Sequence, residues 1–327
     1  MTATSPLLQR WSRTPNAVLI LAAVVAAGLW AVGVNPAAAQ TTTLTAWRVD
    51  ADPGMDATTG VWEDVPGVEV SLNSQTTTFP MGGDFFYELE PPTVTAKALH
   101  FDDTLYVAMR WRDGTVDLGS GAPEEFADAA AVQFPSTPES SVPAVCMGQA
   151  DNSVNIWHWR ADSQEGVAAV PDRGYVDRYA STDDLFYPAR AAGNPFAATD
   201  AGAVQNLVAG GFGTLTPTDQ QTVSGLGVRD GGGWSTVFRR SYESPGEHQP
   251  TFATGQRIDI AFAAWNGALE HRNGIKSVTS FMRLDIADES PPADTTLLTA
   301  VGVGLLILIG IGVFAAVLRP VTREGVR

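Results

Sequence analysis

Hydrophobic and polar positions follow two patterns along this chain. The middle is built of short runs with a period of two: VEVSL (68–72), LYVAMRW (105–111), AAVQF (130–134), VNIWHW (154–159), STVFRR (235–240) and IDIAFAAW (258–265). These are rich in β-branched and aromatic residues and are separated by Gly, Pro, Asp and Asn clusters, so they predict strands with turns between them. No long segment between 41 and 290 repeats at helical spacing. The pattern predicts an all-β domain, a two-sheet β-sandwich. Alternation in 154–160 places Trp157 and Trp159 on one side of a strand and His158 on the other. GGFG (210–213) and DGGGW (230–234) read as turns or bulges. Pro138, Pro143 and the Gly/Asp/Ala-rich stretch 190–204 read as long surface loops, where a sandwich usually carries binding.

The second pattern is the unbroken apolar run, found near both ends. Residues 17–34 follow Arg10 and Arg13 and precede an Ala37-x-Ala39 site, the form of a secretory signal or an uncleaved anchor. Residues 297–318 carry no charge. As a helix they would cover about 33 Å, enough to cross a bilayer core. Arg319, Arg323 and Arg327 follow, which places that tail in the cytoplasm by the positive-inside rule. The expected organisation is a signal or anchor (1–40), a β-sandwich (41–287) on the extracytoplasmic side of the cell membrane, a polar stalk (288–296), a transmembrane helix (297–318) and a cytoplasmic tail (319–327).

Charge narrows the function. The net charge is −16, with 15 basic and 35 acidic residues between 41 and 294. That balance excludes a nucleic-acid surface. Lysine occurs only at 97 and 276. An acidic, lysine-poor surface fits life in high salt, where charges are screened within about 3 Å. The single cysteine, Cys146, makes no intramolecular disulfide, and without C-x-x-C-H there is no covalent haem. The four histidines have no metal-ligand spacing, and no nucleophile motif is present. Nothing marks an enzyme.

Two stretches hold chemistry of another kind. In VCMGQADNSVNIWHWR (145–160), Met147 offers a soft thioether able to ligate iron. In AFAAWNGALEHRNGIKSVTSFMRL (261–284), a strand runs into a polar loop ending at Lys276. An amine can shed its proton to bind a metal, whereas a guanidinium cannot.

Together, CMGQADNSVNIWHWRAD (146–162) and WNGALEHRNGIKSVTSF (265–281) resemble the b-haem-binding γ subunits of type II dimethyl-sulfoxide-reductase-family molybdoenzymes, including those associated with haloarchaeal nitrate reductases. The resemblance runs through most of 44–286, including FADAAAVQFP (126–135) and DGGGWSTVFRR (230–240). It implies a β-sandwich holding one non-covalent haem b, with Met147 and Lys276 as the axial pair and Trp157 among the residues fencing the porphyrin. His158 stands close enough to Met147 in sequence to be a rival to Lys276, though alternation turns it away if Trp157 faces the haem. The implied role is electron transfer beside an iron–sulfur subunit and a molybdopterin catalytic subunit, exchanging electrons with a membrane cytochrome b quinol module or a soluble carrier. Nitrate reduction is the first expectation for the complex. The competing readings are a carbohydrate-binding β-sandwich with exposed tryptophans and a purely structural surface protein.

Overall fold

A computed structural model describes residues 43–74, 91–118, 125–137, 142–145, 147–164 and 202–292. The expected signal or anchor at 17–34, Cys146, most of the 190–204 loop and the apolar run at 297–318 lie outside them. Among the described residues no helix is long and apolar enough to cross a membrane.

The domain is all-β, as the period-two runs predict. Its strands are β1 (Thr43–Arg48), β2 (Val68–Ser71), β3 (Asn73–Ser74), β4 (Thr93–Phe101), β5 (Thr104–Arg112), β6 (Ala129–Pro135) and β7 (Val154–Arg160), then β8 (Val204–Ala209), β9 (Thr216–Pro217), β10 (Ser224–Asp230), β11 (Gly233–Ser241), β12 (Arg257–Trp265), β13 (Ser277–Val278) and β14 (Met282–Ile286). They form one hydrogen-bonded path, β10-β11-β5-β4-β1-β14-β12-β6-β7-β8-β9, with β2 on β4 and β13 bridging β12 and β3. β1 runs parallel to both β4 and β14, and the other pairs are antiparallel.

The two expected sheets are therefore two halves joined through β12. Ile260 pairs with Met282 of β14, and the next residue, Ala261, pairs with Gln133 of β6. The halves face each other across one core. Leu105, Val107, Met109, Trp111, Trp234 and Phe238 from the first half share it with Val132, Phe134, Trp157 and Trp159 from the second. Trp159 packs 5.0 Å from Trp234 and 6.3 Å from Trp111, ring centre to ring centre. Gly227 of β10 is required by that packing, since a Cβ there would lie 2.2 Å from the Trp159 ring. The β10–β11 hairpin closes through Gly231 and Gly232, both at positive φ (51° and 109°), as the DGGGW run predicts.

Each half also buries its outer face. On the first half, a single helical turn α1 (Val61–Asp64) drives Trp62 onto Leu99, Tyr106, Ala108 and Val237. On the second half, the outer face opens into a cavity.

Candidate functional site

The cavity measures about 690 Å³, within the roughly 300–1,000 Å³ of small-molecule and cofactor sites. Its floor is the outer face of the second half. Alternation brings up Ala129, Ala131 and Gln133 from β6, Ile156, His158 and Arg160 from β7, and Ala261, Ala263 and Trp265 from β12. Four of these nine are alanine. Methyl groups where the other outer face carries Trp, Leu and Tyr leave the space that makes the cavity.

One wall comes from the connection between β6 and β7. Met147 is buried and lines the cavity. Its φ is 79°, a left-handed conformation that costs an L-residue energy and persists only when its surroundings impose it. Here they do. The Met147 carbonyl accepts the Gly211 N–H at 2.9 Å, and the Gly148 N–H donates to the Ala144 carbonyl at 2.8 Å. Gly148 follows at φ 74°, and a Cβ on it would stand 2.8 Å from the Ala209 carbonyl oxygen. The Met-Gly pair is thus a turn clamped against the end of β8, with the thioether side chain turned into the cavity.

The opposite wall is the segment between β12 and β13. Ala264 pairs with Ser277, so the register carries Lys276 alongside Trp265. Lys276 is buried, with its Nζ 5.2 Å from the centre of the Trp265 ring. The Trp265 indole donates to the Asn273 carbonyl at 3.2 Å, and the Asn266 N–H donates to His271 Nδ1 at 3.3 Å, which puts that ring's proton on Nε2. The segment is fastened to the sheet by Asp128, fully buried, whose carboxylate accepts the Gly267 and Asp117 N–H groups (3.0 and 2.9 Å) and the Trp234 indole (2.9 Å). Burial nonetheless raises the Asp128 pKa from 3.8 to about 7, and Asp113 adds to the rise.

His158 rises from the floor between the two walls, its ring 5.0 Å from Trp265. Its Nδ1 is buried with no hydrogen-bond partner. Burial first, then the positive charges of Arg160 and Lys276, hold its pKa down at about 3. The imidazole is therefore neutral at physiological pH and keeps a lone pair. Trp157, by contrast, belongs to the core between the halves and is fully buried there. Trp157, expected beside a porphyrin, does not line this cavity: Trp157 and Trp159 do share a face, but that face points inward, and it is His158 that looks into the cavity.

The structure thus brings Met147 and Lys276, distant in sequence, to opposite walls of one pocket and adds His158 between them. A thioether, an amine and an imidazole over an apolar floor are a donor set suited to a low-spin iron tetrapyrrole. The cavity volume and the unpartnered His158 nitrogen fit such a group.

A family model described as ethylbenzene dehydrogenase matches residues 59–277, a span that takes in both walls. The chain belongs to the ethylbenzene dehydrogenase family. Among relatives in this family range, it is 29% identical over 276 residues (84% of this chain, 82% of the other) to ORF7 of Haloferax mediterranei, named as a respiratory nitrate reductase heme subunit. It is 29% identical to the chlorate reductase subunit gamma of Ideonella dechloratans, covering 67% of this chain and 74% of that one. The dimethylsulfide dehydrogenase subunit gamma of Rhodovulum sulfidophilum is 29% identical, with 67% and 70% covered. A family 9 carbohydrate binding module from Caldicellulosiruptor kristjanssonii covers 77% of this chain and 99% of its own at 9% identity and a TM-score of 0.37, too remote to bear on ligand.

Sequence reasoning missed the alanine floor and the clamp on Met147. The alternation of Ala129, Ala131, Ala261 and Ala263 was readable. Its meaning was not, because small residues on a strand face mark a cavity only once something is known to roof it.

Proposed function

We propose that this family member is a non-catalytic electron-transfer subunit binding one non-covalent haem b in the outer-face cavity, where Met147 and Lys276 would hold its iron. The observation that carries this is the meeting of a clamped thioether and a buried amine on opposite walls of one alanine-floored cavity. The bound haem would supply a one-electron iron couple. Met147 would bias that couple toward the ferrous state, and two protein ligands would leave no open site for oxygen chemistry. The indole of Trp265 and the apolar floor would keep water from the iron.

A Met147–His158 pair is the second reading, favoured by the neutral imidazole on the floor with its unpartnered Nδ1. Sugar binding fits less well. It asks for exposed tryptophans, and six of the seven described ones are buried.

Around this centre we place an iron–sulfur subunit and a molybdopterin catalytic subunit, in line with the names of the relatives. Electrons would pass between the iron–sulfur chain and a membrane cytochrome b quinol module or a soluble carrier. Respiratory nitrate reduction remains the first choice for the complex, supported by the acidic, lysine-poor composition and the Haloferax relative. Residues 1–40 would direct export, 41–287 would hold the haem on the extracytoplasmic side, 288–296 would form the stalk, and 297–318 would anchor the chain in the cell membrane, with 319–327 in the cytoplasm.

The test is a haem titration of the full chain in high salt, followed by dithionite. A Soret band with sharp α and β bands on reduction is the expected result. A folded chain that takes up no haem would overturn the reading.

A further inference from the structure

The charge of the cavity is the reverse of the charge of the chain. The sequence carries 36 acidic against 20 basic residues. Yet among the described residues no Asp or Glu lines the cavity, while Arg160, Arg272 and Lys276 all do. Lys276 belongs to the proposed iron site. The two arginines have no part in it, and their placement needs a separate reason.

They lie toward one end. Arg160 is the last residue of β7 and pairs with Ala129 at the start of β6. Arg272 rests its guanidinium 4.5 Å from the centre of the Phe126 ring, three residues before Ala129. Met147 belongs to the other end, where the Gln133 side chain donates to the Val145 carbonyl at 3.3 Å. Ala129 and Gln133 are about 13 Å apart along the strand. Each arginine is held by an acid outside the cavity lining: Arg160 by Asp162, and Arg272 by Glu270 at 3.8 Å. A guanidinium has five N–H donors, so one carboxylate partner orients it without exhausting it. Arg272 is about half exposed, and Arg160 is more enclosed.

We propose that Arg160 and Arg272 form a carboxylate-binding subsite that takes the two propionates of the tetrapyrrole and so fixes which edge of the ring lies at the Phe126 end. This rests on the haem reading and adds to it the orientation of the ring. Guanidinium–carboxylate pairing is charge-assisted and often bidentate, and it is stronger where the pair is shielded from water.

The experiment compares haem with its dimethyl ester, in which both propionates are uncharged, by titrating the full chain and following the Soret band. The wild type should bind haem at least tenfold more tightly than the ester. Arg272→Gln should weaken haem binding about tenfold and leave ester binding unchanged. Arg160→Gln/Arg272→Gln should bind the two alike. The exposed Arg272→Gln change alone guards against a double variant that fails to fold, and far-ultraviolet circular dichroism checks both. Wild-type discrimination that survives in both variants would overturn the subsite and leave the haem reading intact, as would equal binding of haem and ester by the wild type. No uptake of either tetrapyrrole by a folded chain would overturn both.

Discussion

The two outer faces of this sandwich are alike in being buried and unlike in what buries them. On the first half, Trp62 fills the space above Leu99, Tyr106, Ala108 and Val237. On the second, the corresponding space stands over Ala129, Ala131, Ala261 and Ala263 and is a cavity of about 690 Å³. The two lysines divide in the same way. Lys97 donates to the Trp62 carbonyl at 2.5 Å and serves the closed face, whereas Lys276 belongs to the wall of the open one. Similar strand faces, one filled with aromatic bulk and one emptied to methyl groups, separate a structural layer from the proposed haem site.

That contrast can be broken from either side. Trp62→Ala should remove about 3–5 kcal/mol of stability in denaturant unfolding, because a large, fully buried side chain leaves a void. Haem uptake by the molecules that remain folded should be unchanged. Overpacking sharpens the comparison. Ala108→Phe, on the closed face, should cost about 1–3 kcal/mol and spare haem binding. Ala131→Phe, on the floor, should cost under about 1 kcal/mol, since its ring enters open space, but should abolish haem uptake. Equal effects of the two phenylalanines on stability would mean that the cavity is not open space. Gly148→Ala should match the closed-face change in size, at about 1–3 kcal/mol. It should also disturb the haem spectrum, because its Cβ would displace the turn presenting Met147.

The smallest effect concerns pH. The folded-state pKa of Asp128 is raised from 3.8 to about 7, chiefly by burial. The folded chain therefore holds this proton more tightly than the unfolded chain does. The stability it contributes is fully present below pH 3.8 and is lost as pH rises through 7. The thermal-stability advantage of the wild type over Asp128→Asn should shrink from pH 4 to pH 8. A difference that stays level would remove Asp128 as the titrating group.

Much of this fold was legible in the sequence because strands with bulky alternating residues announce themselves. All six runs named from pattern are strands. One strand not named, β10 with the sequence SGLGVRD, is a place where tertiary packing set the residue type. Gly225 and Gly227 sit there because Val204 and Trp159 occupy the space their side chains would need. The site was half legible. Residue chemistry drew notice to Met147 and Lys276, the family resemblance paired them, and they do share a cavity. The side of β7 that faces it was misread, because alternation tells which residues share a face but not which face is inner when both are buried. Trp157 therefore went to the core, and His158 emerged as the third donor.

The central claim is the identity of the iron ligands, and the most direct measurement is near-infrared magnetic circular dichroism of the ferric, haem-loaded full chain in three single variants. Methionine and amine ligation predict that Met147→Ala loses the sulfur-to-iron charge-transfer band, that Lys276→Ala loses the low-spin state, and that His158→Ala leaves the spectrum as in the wild type. A Lys276→Ala spectrum identical to the wild type, with the low-spin state lost in His158→Ala, would contradict the account and give the iron to the histidine on the floor.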